Sequence, residues 1–150
     1  MGVGHVPQDP IHPEGSGAHV QGRERRGTAP GRALGAPLTA AQARGRFGEQ
    51  EAARWYLRHG YEVLDRNWVC EYGEADLVLG RPGEVVICEV KARASADFGG
   101  PVGAVDWKKQ RRLRRIASAW LSEHRAGHLV VRFDVVSVVG AKVEVFEAAF

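Results

Sequence analysis

The spacing of apolar positions changes several times along this chain. Between Ala40 and His59 the apolar residues Ala52, Ala53 and Tyr56 recur at helical intervals, which predicts an amphipathic helix. Thr39-Ala-Ala-Gln42 before it fits a capping box, and Gly60 after it is a natural stop. Val63, Leu64, Trp68 and Val69 then predict a strand within Tyr61 to Cys70. Two further strands, Ala75 to Leu79 and Val85 to Val90, flank Gly80-Arg81-Pro82-Gly83, which reads as the turn between them. From Val105 to His124 the period returns to that of a helix, with Leu113, Ile116, Ala117, Trp120 and Leu121 on one face. Strands from Leu129 to Val139 and Lys142 to Phe146 close the pattern around Gly140. The order is helix, three strands, helix, two strands, an α/β plan.

Residues 1–38 do not join it. The first 37 hold eight of the 19 glycines and five of the seven prolines with almost no large apolar side chains, so a disordered tail is expected. His5, His12 and His19 lie there at regular spacing, but lone histidines in such a segment are poorly organised ligands. The expected folded domain is 39–150, a length that supports one core.

Three charged residues stand out in the apolar central hairpin: Asp76, Glu89 and Lys91. Alternation puts Val85, Ile87, Glu89 and Lys91 on one face and Val86, Cys88 and Val90 on the other. Burying such charges without a purpose costs several kcal/mol. Hard carboxylate oxygens from Asp76 and Glu89, with the Val90 carbonyl as a further ligand, suit Mg²⁺ or Mn²⁺. Lys91 would stand beside an attacking water, to orient it, to stabilise charge or to act as base. A Glu89–Lys91 ion pair on the strand is the plainer alternative. Glu49 shares its helix face with Ala52, Ala53 and Tyr56, so it either marks the margin of that face or aims into the same cleft. Gly45 and Gly48 beside it suggest close packing or close approach of a ligand. Asp134 on the fourth strand reads as a partner for a nearby arginine.

Net charge is only +3, but its distribution is uneven. Lys108, Lys109, Arg111, Arg112, Arg114 and Arg115 put six cations within eight residues, with no acid between Asp106 and Glu123. A solvated helix face normally mixes signs, so this stripe points to phosphate and hence nucleic acid. Cys70 and Cys88 lack metal-ligand spacing and read as buried free thiols. Zinc is disfavoured, and no GxSxG, P-loop or GxGxxG directs the chain to serine hydrolases or nucleotide-binding enzymes. No apolar run spans a bilayer and no secretory signal is evident, so a cytoplasmic protein without a membrane partner is expected.

Asp76 followed by Glu89-Val90-Lys91 resembles the core of the PD-(D/E)XK nuclease superfamily. Gly45-x-x-Gly48-Glu49-x-x-Ala52, Gly60-Tyr61, Asn67-Trp68, Gly73-Glu74-Ala75-Asp76, Glu89-Val90-Lys91-x-Arg93, Phe98-Gly99, Lys109-Gln110-Arg111-Arg112-Leu113 and Arg132-Phe133-Asp134-Val135-Val136 narrow it. Together, from about Ala41 to Phe150, they resemble the YraN-type family of endonuclease-like proteins. That resemblance implies a restriction-endonuclease-like three-layer core with a mixed central sheet, similar in plan to archaeal Holliday-junction resolvases. It implies catalytic roles for Glu49, Asp76, Glu89 and Lys91 around one metal, with Ala75 where the superfamily signature has proline. The expected function is a divalent-metal-dependent endonuclease acting on nucleic acid, DNA rather than RNA and with branched DNA in view. Arg93, Lys108, Lys109, Arg111, Arg112 and Arg115 would hold the strand. A two-fold dimer would suit cleavage of both strands. The alternative is a non-catalytic nucleic-acid-binding module of the same fold.

Overall fold

A computed structural model describes residues 37–94 and 105–150. The expected tail, apart from its last two residues, and the Phe98-Gly99 loop lie outside the described residues. The elements are α1 (Ala40–Arg58), β1 (Glu62–Cys70), β2 (Gly73–Arg81), β3 (Glu84–Arg93), α2 (Trp107–Glu123), β4 (Val130–Val139) and β5 (Lys142–Phe146). The five strands form one sheet in sequence order, antiparallel except for the parallel β3–β4 pair. Helix α2 lies in the β3–β4 crossover, which a parallel pair requires. The expected three-layer α/β plan is therefore the one observed.

Each face of the sheet buries one helix. Ala52, Ala53 and Tyr56 of α1 pack with Leu77, Leu79, Val86, Cys88, Val136 and Val138. On the other face Leu113, Ile116 and Trp120 of α2 pack with Val78, Val85, Ile87 and Val135. The β3 alternation falls as its sequence predicts, odd positions toward α2 and even ones toward α1. No helix among the described residues is long and apolar enough to cross a membrane. Cys88 is a buried free thiol, whereas Cys70, expected to be buried, is free but only half-buried.

Helix boundaries follow their caps. Thr39 and Gln42 exchange the two reciprocal bonds of a capping box. At the other end Gly60 takes φ +80°, Gly60 N donates to Leu57 O and Tyr61 N to Tyr56 O, a Schellman motif with Tyr61 packed edge-on against Tyr56. Helix α2 begins two residues later than its periodicity suggests, because Asp106 is its N-cap and accepts from Lys109 N at 2.8 Å. The β2–β3 turn is also tighter than Gly80-Arg81-Pro82-Gly83 implies. Gly80 and Arg81 pair with Val85 and Glu84, leaving Pro82 and Gly83 (φ +81°) as a two-residue turn. Gly80 is there for packing: a β-carbon would stand 2.8 Å from Leu64 Cδ1.

Asp134 is buried and held by Arg132, as expected. The tie is wider than a single ion pair. Tyr56 Oη donates to Asp134 Oδ2 at 2.7 Å and Ala148 N to Oδ1 at 3.0 Å, joining α1, β4 and the C-terminal segment. A second tie, not foreseen from sequence, fixes α2 to β1: Trp120 Nε1 donates to Asp65 Oδ2 at 2.6 Å, with His124 stacked on the indole.

Candidate active site and nucleic-acid interface

The sheet splits at Asp76. The β2–β3 ladder ends with Leu77 opposite Cys88, and beyond it the Asp76 carboxylate accepts from Val90 N at 2.7 Å in place of a backbone partner. The residue alternation of β2 breaks at the same point. Leu77 and Leu79 face α1, yet Ala75 joins Val78 in the core beneath α2. Opposite, Asn67 of β1 adopts φ +48°, a left-handed conformation that asparagine tolerates better than most residues. Strand geometry puts the Val90 carbonyl on the same edge of β3 as its N–H, facing the gap.

Glu89 and Lys91 follow on the α2-facing side of β3. Lys91 Nζ lies 3.3 Å from Glu89 Oε1, and Lys109 Nζ of α2 hydrogen-bonds the same oxygen. The lysine expected to join the phosphate stripe thus stands against the proposed metal ligand. Burial pulls the Lys109 ammonium below the usual lysine range, against the opposing pull of Glu89.

Glu49 comes in from α1. It is half-buried and accepts from Asn67 Nδ2 at 3.0 Å, so the strained β1 residue orients the helix glutamate. Gly48 makes the approach possible, since a β-carbon there would stand 2.5 Å from Ala92 Cβ. Gly45 has nothing within 4 Å of such a carbon among the described residues, which give it no packing reason.

The acidic neighbourhood shows in Asp76 itself. Burial foremost, then the charges of Glu89, Glu49 and Glu74, push its carboxyl up to about 6, with the Val90 N–H pulling the other way. Among the described residues no three His, Cys, Asp or Glu side chains close on a common metal position. Asp76 and Glu89 nonetheless suit a hard cation of the magnesium type, which uses one or two carboxylates and keeps most of its waters. Such an ion would also relieve the acid crowding that raises Asp76.

The basic stripe lies along the outer side of α2. Lys108, Arg111, Arg112 and Arg115 are exposed. They line an open groove whose other wall is the β1–β2 turn, Glu71 and Tyr72. Arg93, at the end of β3, is half-buried on the strand that carries Glu89 and Lys91. Two residues escaped the sequence reading, Tyr72 and Trp107, and Asn67 entered it only within a family motif, without a role. The signal for Asn67 was its place in the Asn67-Trp68 motif, inside a strand that also carries Glu62, Asp65 and Arg66. For the two rings it was an aromatic residue in polar surroundings, Trp107 at the start of α2 and Tyr72 in the β1–β2 turn.

A profile of the uncharacterised protein family UPF0102 matches residues 48–138. The chain belongs to the UPF0102 family. The matched region contains Glu49, Asp76, Glu89, Lys91 and all of α2, and this is the YraN-type group to which the ordered motifs point. Among UPF0102 relatives, a protein of Frankia alni is 48% identical over 101 residues, covering 67% of this chain and 84% of its own. One of Beutenbergia cavernae is 50% identical over 103 residues, covering 68% and 86%. A third, of Acidothermus cellulolyticus, is 42% identical over 114 residues, covering 69% and 86%.

Proposed function

We propose that this UPF0102 protein is a divalent-metal-dependent endonuclease that hydrolyses phosphodiester bonds of DNA. The observation that carries the reading is the split between β2 and β3, where Asp76 takes a strand's hydrogen bond with its side chain beside Glu89 and Lys91. A fold needs no such interruption for its own stability. Asp76, Glu89 and the Val90 carbonyl would hold Mg²⁺ or Mn²⁺. When bound, the ion supplies charge neutralisation at the phosphoryl group and an acidified water.

The chain's own residues do the rest. Lys91 sits next to Glu89, where its ammonium can orient the attacking water or stabilise the developing charge on phosphate. Glu49, steadied by Asn67, supplies a third carboxylate at the rim for water-mediated contact. Lys109 neutralises Glu89 as the structure stands, and is positioned to pass to a phosphate when a cation takes that carboxylate. Exposed arginines of α2 bring the polyanion to the site, which makes binding salt-sensitive.

The test is metal-dependent cleavage by purified protein of single-stranded, duplex, flap and four-way-junction DNA and of structured RNA. Lys91→Ala should lower the rate by at least about 100-fold while leaving binding intact. Salt-sensitive binding with no cleavage by either protein would leave the binding-module alternative in its place.

A further inference from the structure

The α2 groove carries more than positive charge. Trp107, the first residue of the helix, is 64% exposed, and Tyr72 on the facing turn is 37% exposed. Neither belongs to the two hydrophobic clusters that build the core. Both line the groove together with the cations. Each ring has a cation near it: Lys108 Nζ is 5.8 Å from the Trp107 centroid and the Arg115 guanidinium 5.6 Å from that of Tyr72. Such contacts restrain an exposed ring while leaving its remaining surface to solvent. Among the described residues Glu71 is the one acid in the lining.

Phosphate attraction explains the cations but not the rings. A duplex presents its phosphates outward and hides its base faces in its own stack, so it has no use for two exposed aromatic platforms. An unpaired strand has both parts, a phosphate backbone for the arginines and free base faces for the rings.

We propose that the groove between α2 and the β1–β2 turn binds an unpaired DNA strand, with bases stacked on Trp107 and Tyr72 and phosphates on Lys108, Arg111, Arg112 and Arg115. The proposal deepens the endonuclease reading and rests on it for what happens to the strand afterwards. It makes the substrate one with a single-stranded part, delivered along α2 toward Lys109 and Glu89.

The experiment measures binding with metal chelated, so that no cutting occurs. Fluorescence anisotropy follows labelled oligo-dT, oligo-U and a blunt DNA duplex of equal length on the full chain. Wild type should bind oligo-dT more tightly than duplex and lose tryptophan emission on doing so, a quench that Trp107→Ala removes. Trp107→Ala and Tyr72→Ala should each weaken oligo-dT by at least about tenfold and duplex by no more than about twofold. Trp107→Phe and Tyr72→Phe, which keep a ring, should retain most of the affinity, and circular dichroism checks that each variant is folded. Equal weakening on strand and duplex, no weakening, or a tighter grip on oligo-U than on oligo-dT would overturn the proposal. Lys91→Ala separates the two readings. If it and wild type bind oligo-dT through the rings but wild type never cuts, the endonuclease reading fails alone. If wild type cuts and the ring variants bind and cut as it does, the groove proposal fails alone.

Discussion

Asp134 on β4 and Asp76 on β2 are both carboxylates set into the apolar sheet, and the chain furnishes them very differently. Asp134 receives two bonds from the Arg132 guanidinium, one from the Tyr56 hydroxyl and one from the Ala148 amide. Asp76 has the Val90 amide, and the charges that raise its carboxyl are the acids Glu89, Glu49 and Glu74. A carboxylate saturated by its own chain is an internal fastener. One left in an acidic neighbourhood, with its pKa raised and only its Oδ2 hydrogen-bonded among the described residues, is poised for something that arrives from outside. The difference separates a structural charge from a functional one within a single sheet.

Removing each carboxylate should therefore move stability in opposite directions. Asp134→Ala strands the Tyr56 hydroxyl in the interior, leaves the Arg132 guanidinium with only its longer contacts to Glu84 and Glu147, and should cost about 3–5 kcal/mol, read from urea denaturation. A loss under about 1 kcal/mol would end the distinction drawn above. Gly48→Ala probes the close approach of α1 to β3, on which the position of Glu49 depends. The added methyl would press on Ala92 and cost about 1–3 kcal/mol, with Ala92→Gly restoring most of it.

Asp76→Asn is the smallest effect and the most telling. A carboxyl that titrates near 6 when folded and near 3.8 otherwise favours the native state below pH about 4, and that contribution is lost as pH rises through 6. The asparagine variant carries no such charge. Without metal it should be more stable than wild type at pH 8 by on the order of 1–2 kcal/mol, with the gain gone at pH 4. Mg²⁺ should raise the Tm of wild type at pH 8, less at pH 5, and not that of the variant. A variant less stable than wild type at pH 8 without metal would make Asp76 a fastener like Asp134.

Most of the architecture was legible because local chemistry and periodicity agree. Thr39 and Gln42 mark one end of α1 and Gly60 the other, and β3 alternates without interruption from Val85 to Lys91. What was not legible is long-range. Asn67 orienting Glu49, and Lys109 crossing to Glu89, are contacts between residues that no single-element periodicity connects. The break in alternation at Asp76 was hidden because Ala75 is small enough to suit either face. Gly80 looked like turn chemistry, when its real cause is the side chain of Leu64 on the next strand.

The parallel β3–β4 pair has a kinetic consequence. Glu49, Asp76, Glu89 and Lys91 all lie in α1 and the β1–β2–β3 meander, whose strands are joined by short turns. Such neighbours close small loops and can pair early. Pairing β4 beside β3 must wait for the whole α2 crossover, the costliest closure in the fold. Contact-order reasoning thus has the carboxylates gathering first, in a half-built sheet whose β3 edge is still open. The late arrival of β4 then seals that edge, while α2, docking on the face beside it, delivers Lys109 to Glu89.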